Sequence, residues 1–223
     1  MASPDLVRHV TEWVSPISAL LYEDIAIALT NAENRVGDLA RQGDVHLRSL
    51  TVRAELRAQL KDQGQVLGDW AVAGNPALMG ELYLSHPIAG MTLRVLKERR
   101  RTYPGGVPLA GPNRARRLYW SHGSQDVIPG MPQAPHDDGE IKLLLLWDLT
   151  NTSDLRQGFS LRVVRTTAPG KYGATVPIDL SVDLSATGGA WEHLQFVGDD
   201  EPDDFFRVSV DEVIDEREQE QGM

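Results

Sequence analysis

Residues 141–147 read IKLLLLW, an apolar run interrupted only by Lys142. A short run of this kind between turn residues predicts a central β-strand that is buried on both faces. Residues 176–184, VPIDLSVDL, place an apolar side chain at every second position. That alternation is typical of a strand with one face toward the core and the other toward water. The two segments therefore predict a β-sheet in the second half of the chain.

Shorter segments extend the predicted sheet on both sides of these two strands. They are residues 69–73, 81–85, 91–96, 118–120, 159–164, 191–197 and 206–210. Turn-rich connections without helical periodicity separate most of them, and this favours a mostly antiparallel sheet, folded as a sandwich or a half-barrel.

The first part of the chain has a helical pattern instead. Ser3 and Pro4 form a helix start, with serine as the N-cap and proline in the first turn. Pro16 predicts a break or kink, and Gly37 weakens the helix further. A second helix is expected over residues 44–63, ending at a glycine.

The chain is thus predicted to be an α+β protein in which helices precede a mostly antiparallel, β-rich domain. We expect a helical segment over residues 1–64, the β-rich domain over 65–210 and an acidic, flexible tail over 211–223. The N-terminal helices could also form the contact of a homo-oligomer.

Composition narrows the classes of function. The 223 residues include no cysteine, which excludes disulfides, thiolate metal sites and a cysteine nucleophile. No apolar stretch is long enough to span a bilayer, and no secretory leader is visible. The formal net charge of −10 argues against binding of nucleic acid by the whole surface. We expect a cytoplasmic protein that has no membrane partner.

The strongest departure from this acidic mean is the basic stretch, residues 94–117. It contains eight Lys and Arg residues and one acid, Glu98. The predicted anion-binding residues are Arg94, Lys97, Arg99, Arg100, Arg101, Arg114, Arg116 and Arg117. A hairpin of strands 91–97 and 118–120 would place both arginine groups at one end of the sheet. Forked guanidinium groups could then hold phosphates or carboxylates, while Tyr103, Tyr119 or Trp120 stacks on a base.

The same arginines could instead neutralise the protein's own acids. Residues 192–223 contain 12 acidic and two basic residues, and they offer an internal or intersubunit partner. Local charge segregation does not distinguish this contact from the binding of an external anion.

A segment rich in histidine and acidic residues follows the basic stretch. His122, Asp126, His136 and Glu140 are potential metal ligands. Asp126 followed by Glu140 and Lys142 at a strand start is also the arrangement of restriction-endonuclease-like metal nucleases. In that chemistry the carboxylates hold a divalent metal and the lysine assists the attacking hydroxide.

Three functions remain open. The leading hypothesis is a non-enzymatic binding or adaptor protein, without a cofactor, that recognises an acidic macromolecule through its basic loop. That partner is either a nucleic acid or an acidic protein surface. The first alternative is a phosphodiesterase or nuclease that uses a divalent metal with Asp126, Glu140 and Lys142. The second is a structural subunit of a homo-oligomeric assembly.

Overall fold

A computed structural model describes most of the chain up to residue 192. The described residues are 2–42, 45–62, 67–100, 102–121, 139–150, 155, 158–187 and 190–192. The predicted strand over residues 206–210 and the acidic tail over 211–223 lie outside this part, as do all but the first residue of the acidic segment 192–223.

Two helices form the N-terminal part of the fold. Helix α1 spans Pro4–Arg41, and helix α2 spans Val45–Asp62. The Ser3 hydroxyl accepts a hydrogen bond from Leu6 N (3.2 Å), so the predicted helix start is confirmed. Among the described helices, none is both long and apolar enough to cross a membrane.

Helix α1 continues through Pro16 and Gly37, where the sequence predicts a break and a weak point. An internal proline costs a helix about 3 kcal/mol. Burying one large aliphatic side chain contributes about 2 kcal/mol in return. The buried stripe of α1 includes Val10, Val14, Ile17, Leu21, Ile25, Ala28, Leu29 and Ala32. The chain does not break at Pro16, because this packing outweighs the local cost of the proline, and the alternative of a kink there stays a prediction.

Seven strands follow the helices and form one sheet. They are β1 Ala71–Ala73, β2 Tyr83–His86, β3 Met91–Lys97, β4 Ile141–Leu149, β5 Phe159–Thr166, β6 Ile178–Leu184 and β7 Ala190–Glu192. The strands lie side by side in chain order, and every pair is antiparallel except β3–β4. The predicted α+β fold with a mostly antiparallel sheet is confirmed. The described strands form a single sheet rather than the two facing sheets of a sandwich.

The sheet separates two apolar cores. Leu143, Leu145 and Trp147 of β4 pack with α1 and α2 on one face. Leu144 and Leu146 pack with the second core on the other face. All five side chains are at most 1% exposed, as expected of a central strand covered on both sides.

The second core is covered by a short helix, α3, which spans Arg114–Trp120. The expected strand over residues 118–120 is therefore wrong, and so is its hairpin with β3. Asn113 caps α3 by accepting a hydrogen bond from Arg116 N (3.1 Å). Trp120 at the end of the helix is completely buried. Strand β3 pairs in parallel with β4, and parallel strands require a crossover, which here carries α3 over the sheet.

Candidate anion-binding site

Arg94 lies on the α3 side of β3 among aromatic rings. Its guanidinium carbon is 5.1 Å from the ring centre of Tyr83, 5.6 Å from that of Trp120 and 6.0 Å from that of Tyr119. One guanidinium nitrogen is 3.3 Å from the Glu81 carboxylate, and the side chain is only 11% exposed. Cation–π contacts and this ion pair thus hold a nearly buried positive charge in place.

Three further arginines, Arg53, Arg99 and Arg116, act electrostatically together with Arg94. We name these four residues the Arg cluster. Burial lowers the pKa of Arg53 to about 10, and the positive charges of the other three members contribute to that shift. Burial also lowers the pKa of Arg116, with the charges of Arg94 and Arg99 acting in the same direction. Arg53 and Arg116 are therefore close enough to Arg94 and Arg99 for those positive charges to disfavour their own charged forms.

Among the described residues, few carboxylates lie against the Arg cluster. Within the described residues, Glu81 forms an ion pair with Arg94, and no carboxylate pairs with Arg53, Arg99 or Arg116. Buried Nε atoms of Arg94 and Arg116 also find no hydrogen-bond acceptor there. Arg116 is held by other contacts, because its guanidinium carbon is 5.2 Å from the Trp120 ring centre and one nitrogen donates to Leu109 O (3.3 Å).

Two of the three predicted stacking residues are part of the packing around the Arg cluster. The Tyr119 hydroxyl bonds to the carbonyl oxygens of Thr92 (3.0 Å) and Leu143 (2.9 Å), and burial raises its pKa well above the usual value. Trp120 is 0% exposed, and its Nε1 donates to Pro108 O (2.9 Å). Trp120 therefore has no free face for a base in this structure. The role of Tyr103, which is half-buried, stays a prediction.

The part of the basic stretch around Glu98 is neutralised inside the protein. Glu98 is 0% exposed and forms ion pairs with Arg100 Nε (3.1 Å) and with Arg162. Arg100 also lies 4.0 Å from the carboxylate of Asp148. Lys97 acts on the same group, because its charge opposes the rise in the pKa of Asp148. Internal acids thus compensate Arg100, in line with one of the two alternatives left open by the sequence.

The remaining basic residues differ in exposure. Arg114 and Arg117 lie on α3 and are exposed to solvent. Arg101 lies outside the described residues. Of the predicted anion-binding residues, the structure thus brings Arg94, Arg99 and Arg116 into one electrostatic group, with two further arginines on the nearby helix.

The predicted metal ligands and nuclease residues are placed only in part. His122, Asp126 and His136 lie outside the described residues. Glu140 accepts a hydrogen bond from Thr92 Oγ1, and Lys142 is the register partner of Thr92 in the parallel pair. Within the described chain, no three His, Asp or Glu side chains are grouped as a metal site would require. The metal site and the nuclease residues stay predictions.

Arg53 and Glu81 were not singled out from the sequence. Arg53 lies on the polar side of α2, where arginines at i and i+4 would ordinarily face water. Its Nε donates instead to Gly80 O (3.1 Å), a contact across 27 positions of the chain. The signal in the sequence that could have identified Arg53 is its spacing from Arg57. Residues four positions apart lie on the same side of a helix.

No protein-family model, curated protein or solved structure matches this chain.

Proposed function

We propose that this protein is a non-enzymatic binding protein that recognises an acidic macromolecule. The Arg cluster, together with Arg114 and Arg117 on α3, is the recognition surface. The observation that carries this proposal is the concentration of guanidinium groups among which, in the described part of the chain, Glu81 is the one paired carboxylate. Burial, and then the charges of neighbouring arginines, lower the pKa values of Arg53 and Arg116, and this supports the proposal.

An acidic ligand would reduce the electrostatic repulsion between the arginines of the folded protein. Like charges that share a partly buried site repel one another more strongly than they would in water. A carboxylate or phosphate between the guanidinium groups replaces this repulsion with charge-assisted hydrogen bonds. Arginine suits the role because its planar group offers two parallel donors to either anion.

The test compares two variants that change the net charge equally. The cluster variant carries Arg99→Gln and Arg116→Gln, and it spares Arg94 because that residue has a structural ion pair. The control variant carries Arg8→Gln and Arg41→Gln, two arginines on α1 whose side chains are 76% and 60% exposed. Circular dichroism first establishes that both variants are folded.

Binding is measured with a labelled polyglutamate peptide and a labelled oligothymidylate over a range of salt concentrations. We expect the cluster variant to bind at least one probe about tenfold more weakly, with a salt slope reduced by about two. The control variant should retain the affinity of the wild type. Equal affinities of the wild type and the cluster variant for both probes would refute the proposed function.

A further inference from the structure

The connection between β1 and β2 presents apolar side chains to solvent beside the Arg cluster. We name residues 74–81, GNPALMGE, the 74–81 loop. Leu78 is 60% exposed and Met79 is 71% exposed at its tip. Met79 also has a φ of 53°, and it is the one non-glycine residue with positive φ in the described part of the chain. A side chain in this backbone region is uncommon, and it persists only where surrounding contacts fix it.

Those contacts come first from within the 74–81 loop. Leu78 N donates to Asn75 O (3.0 Å), Gly80 N donates to Pro76 O (3.0 Å), and Ala77 N donates to Asn75 Oδ1 (2.9 Å). Backbone groups of the loop are thus paired with one another, which a compact and ordered turn requires.

Helix α2 then fixes the 74–81 loop from outside. Arg53 donates to Met79 O (2.8 Å) and Gly80 O (3.1 Å). Arg57 donates to Gly74 O (3.3 Å) and to Glu81 O. Two arginines therefore bind carbonyl groups at both ends of the loop. The tip is held in one conformation while its apolar side chains stay exposed, which lowers the entropic cost of binding a partner.

The 74–81 loop and the Arg cluster are parts of one surface, because they share residues. Arg53 belongs to the cluster and holds the loop tip. Glu81 ends the loop, and its carboxylate contacts Arg94 (3.3 Å) and accepts a hydrogen bond from the Tyr83 hydroxyl (2.9 Å). An apolar tip is thus fixed beside a group of positive charges.

From this arrangement we infer that the partner is a protein segment in which carboxylates flank a large apolar side chain. The inference rests on the proposed function and specifies its partner. Carboxylates complement the Arg cluster, and an apolar side chain covers Leu78 and Met79. Single-stranded nucleic acid gains affinity from exposed aromatic rings that stack on its bases, whereas the Trp120 ring beside the Arg cluster is buried.

The experiment uses three labelled probes on the full chain. The first is a peptide that alternates Glu with Leu, the second has Ser in place of each Leu, and the third is an oligothymidylate. We expect the wild type to bind the Leu peptide about tenfold or more tightly than the Ser peptide, because burial of one leucine side chain contributes about that factor. The oligothymidylate should bind more weakly than the Leu peptide.

The loop variant carries Leu78→Ser and Met79→Asn. Asparagine tolerates positive φ, so this variant should keep the backbone of the 74–81 loop. It should bind the Leu and Ser peptides equally. A matched control, Ile88→Ser, removes an apolar side chain that is also 71% exposed but lies in the turn between β2 and β3. This control should keep the preference for the Leu peptide.

The outcomes separate this inference from the proposed function. If the wild type binds both peptides equally, prefers the oligothymidylate, or keeps its Leu preference in the loop variant, the inference is overturned. In each of those cases the cluster variant still decides the proposed function, because it removes charge without changing the loop tip. The inference is supported if the loop variant loses the preference for the Leu peptide while the control Ile88→Ser keeps it.

Discussion

Asp148 at the end of β4 is a carboxylate in an unfavourable site. Its side chain is 19% exposed and faces the network of Glu98 and Arg100. Burial and then the charge of Glu98 raise the pKa of Asp148 to about 6, although Lys97 and Arg100 oppose the shift. The neighbouring bases thus do not fully offset the burial of Asp148 and its repulsion by Glu98.

This environment makes the stability of the protein depend on pH. The pKa of Asp148 is higher in the folded than in the unfolded state, so the folded protein binds the proton more tightly. Stability from this group is therefore greatest below about pH 4 and declines as the pH rises to about 6. Asp148→Asn should raise the free energy of unfolding by about 2 kcal/mol near neutral pH and flatten the decline.

Urea unfolding at several pH values tests this prediction. Asp38→Asn is the matched control, because the side chain of Asp38 is 88% exposed on α1. Its effect should stay within about 0.5 kcal/mol at every pH. The same pH slope in the wild type and in Asp148→Asn would show that Asp148 does not titrate in the expected range.

At the residue scale, the sequence identified the charges but not their partners. Glu98 is the one acid in the basic stretch, and its position alone could not show that it is fully buried. Its partner Arg162 lies 64 positions away on β5. Arg99 and Arg100 are neighbours in the chain, yet one belongs to the Arg cluster and the other to an internal ion pair. Only the tertiary structure separates the two roles.

At the scale of elements, the length and the packing of a segment decided whether it could be predicted. Strand β4 is long, apolar and buried on both faces, so its pattern was unambiguous. Helix α3 has seven residues, about two turns, which is too short for a helical pattern of apolar residues to be recognised. Its Leu118, Tyr119 and Trp120 are typical of strands instead. Asn113 was the missed signal, because asparagine is a favoured N-cap.

The ion pairs of Glu98 suggest that the connection after β3 is rigid. Substitutions at two glycines, Gly106 and Gly173, test this. Gly106 and Gly173 have nearly equal φ values, 78° and 75°. A Cβ at Gly106 would lie 2.7 Å from Glu98 Cγ, whereas one at Gly173 would meet nothing within 4 Å. Both positions therefore share the backbone strain of a substitution, and only Gly106 adds a steric conflict.

We expect Gly173→Ala to destabilise the protein by about 1 kcal/mol through its backbone alone. Gly106→Ala should cost about 2 kcal/mol more, because it displaces a buried carboxylate that holds Arg100 and Arg162. Urea unfolding of both variants measures the difference. Equal losses would indicate that Glu98 can move without disturbing its partners.

At the scale of the whole molecule, the centre of the sheet rests on contacts that no local pattern encodes. The parallel β3–β4 pair joins Met91 to Ile141 across the crossover that contains α3. The helices are joined to the sheet in the same long-range way. The Trp13 ring of α1 lies 4.5 Å from the ring of His86 on β2, and the Trp70 ring lies 5.0 Å from it. A shared core of this kind predicts that helices and sheet unfold together.

Leu21→Ala tests that cooperativity. Leu21 is 0% exposed in the core between α1 and the sheet, so its truncation should cost about 3 kcal/mol. Leu39→Ala, at a side chain that is 46% exposed on α1, should cost less than about 1 kcal/mol. Far-ultraviolet circular dichroism reports the helices, and tryptophan fluorescence includes Trp147 in the centre of the sheet.

The two probes should give one midpoint in urea, and Leu21→Ala should lower it equally for both. This result follows because one apolar core contains residues of α1, α2 and five strands, so neither layer keeps its buried surface without the other. Separate midpoints, with only the helical signal moved by Leu21→Ala, would instead make the segment 1–64 an independent unit. The recognition surface would then be divided as well, because Arg53 on α2 could move away from Arg94 on β3.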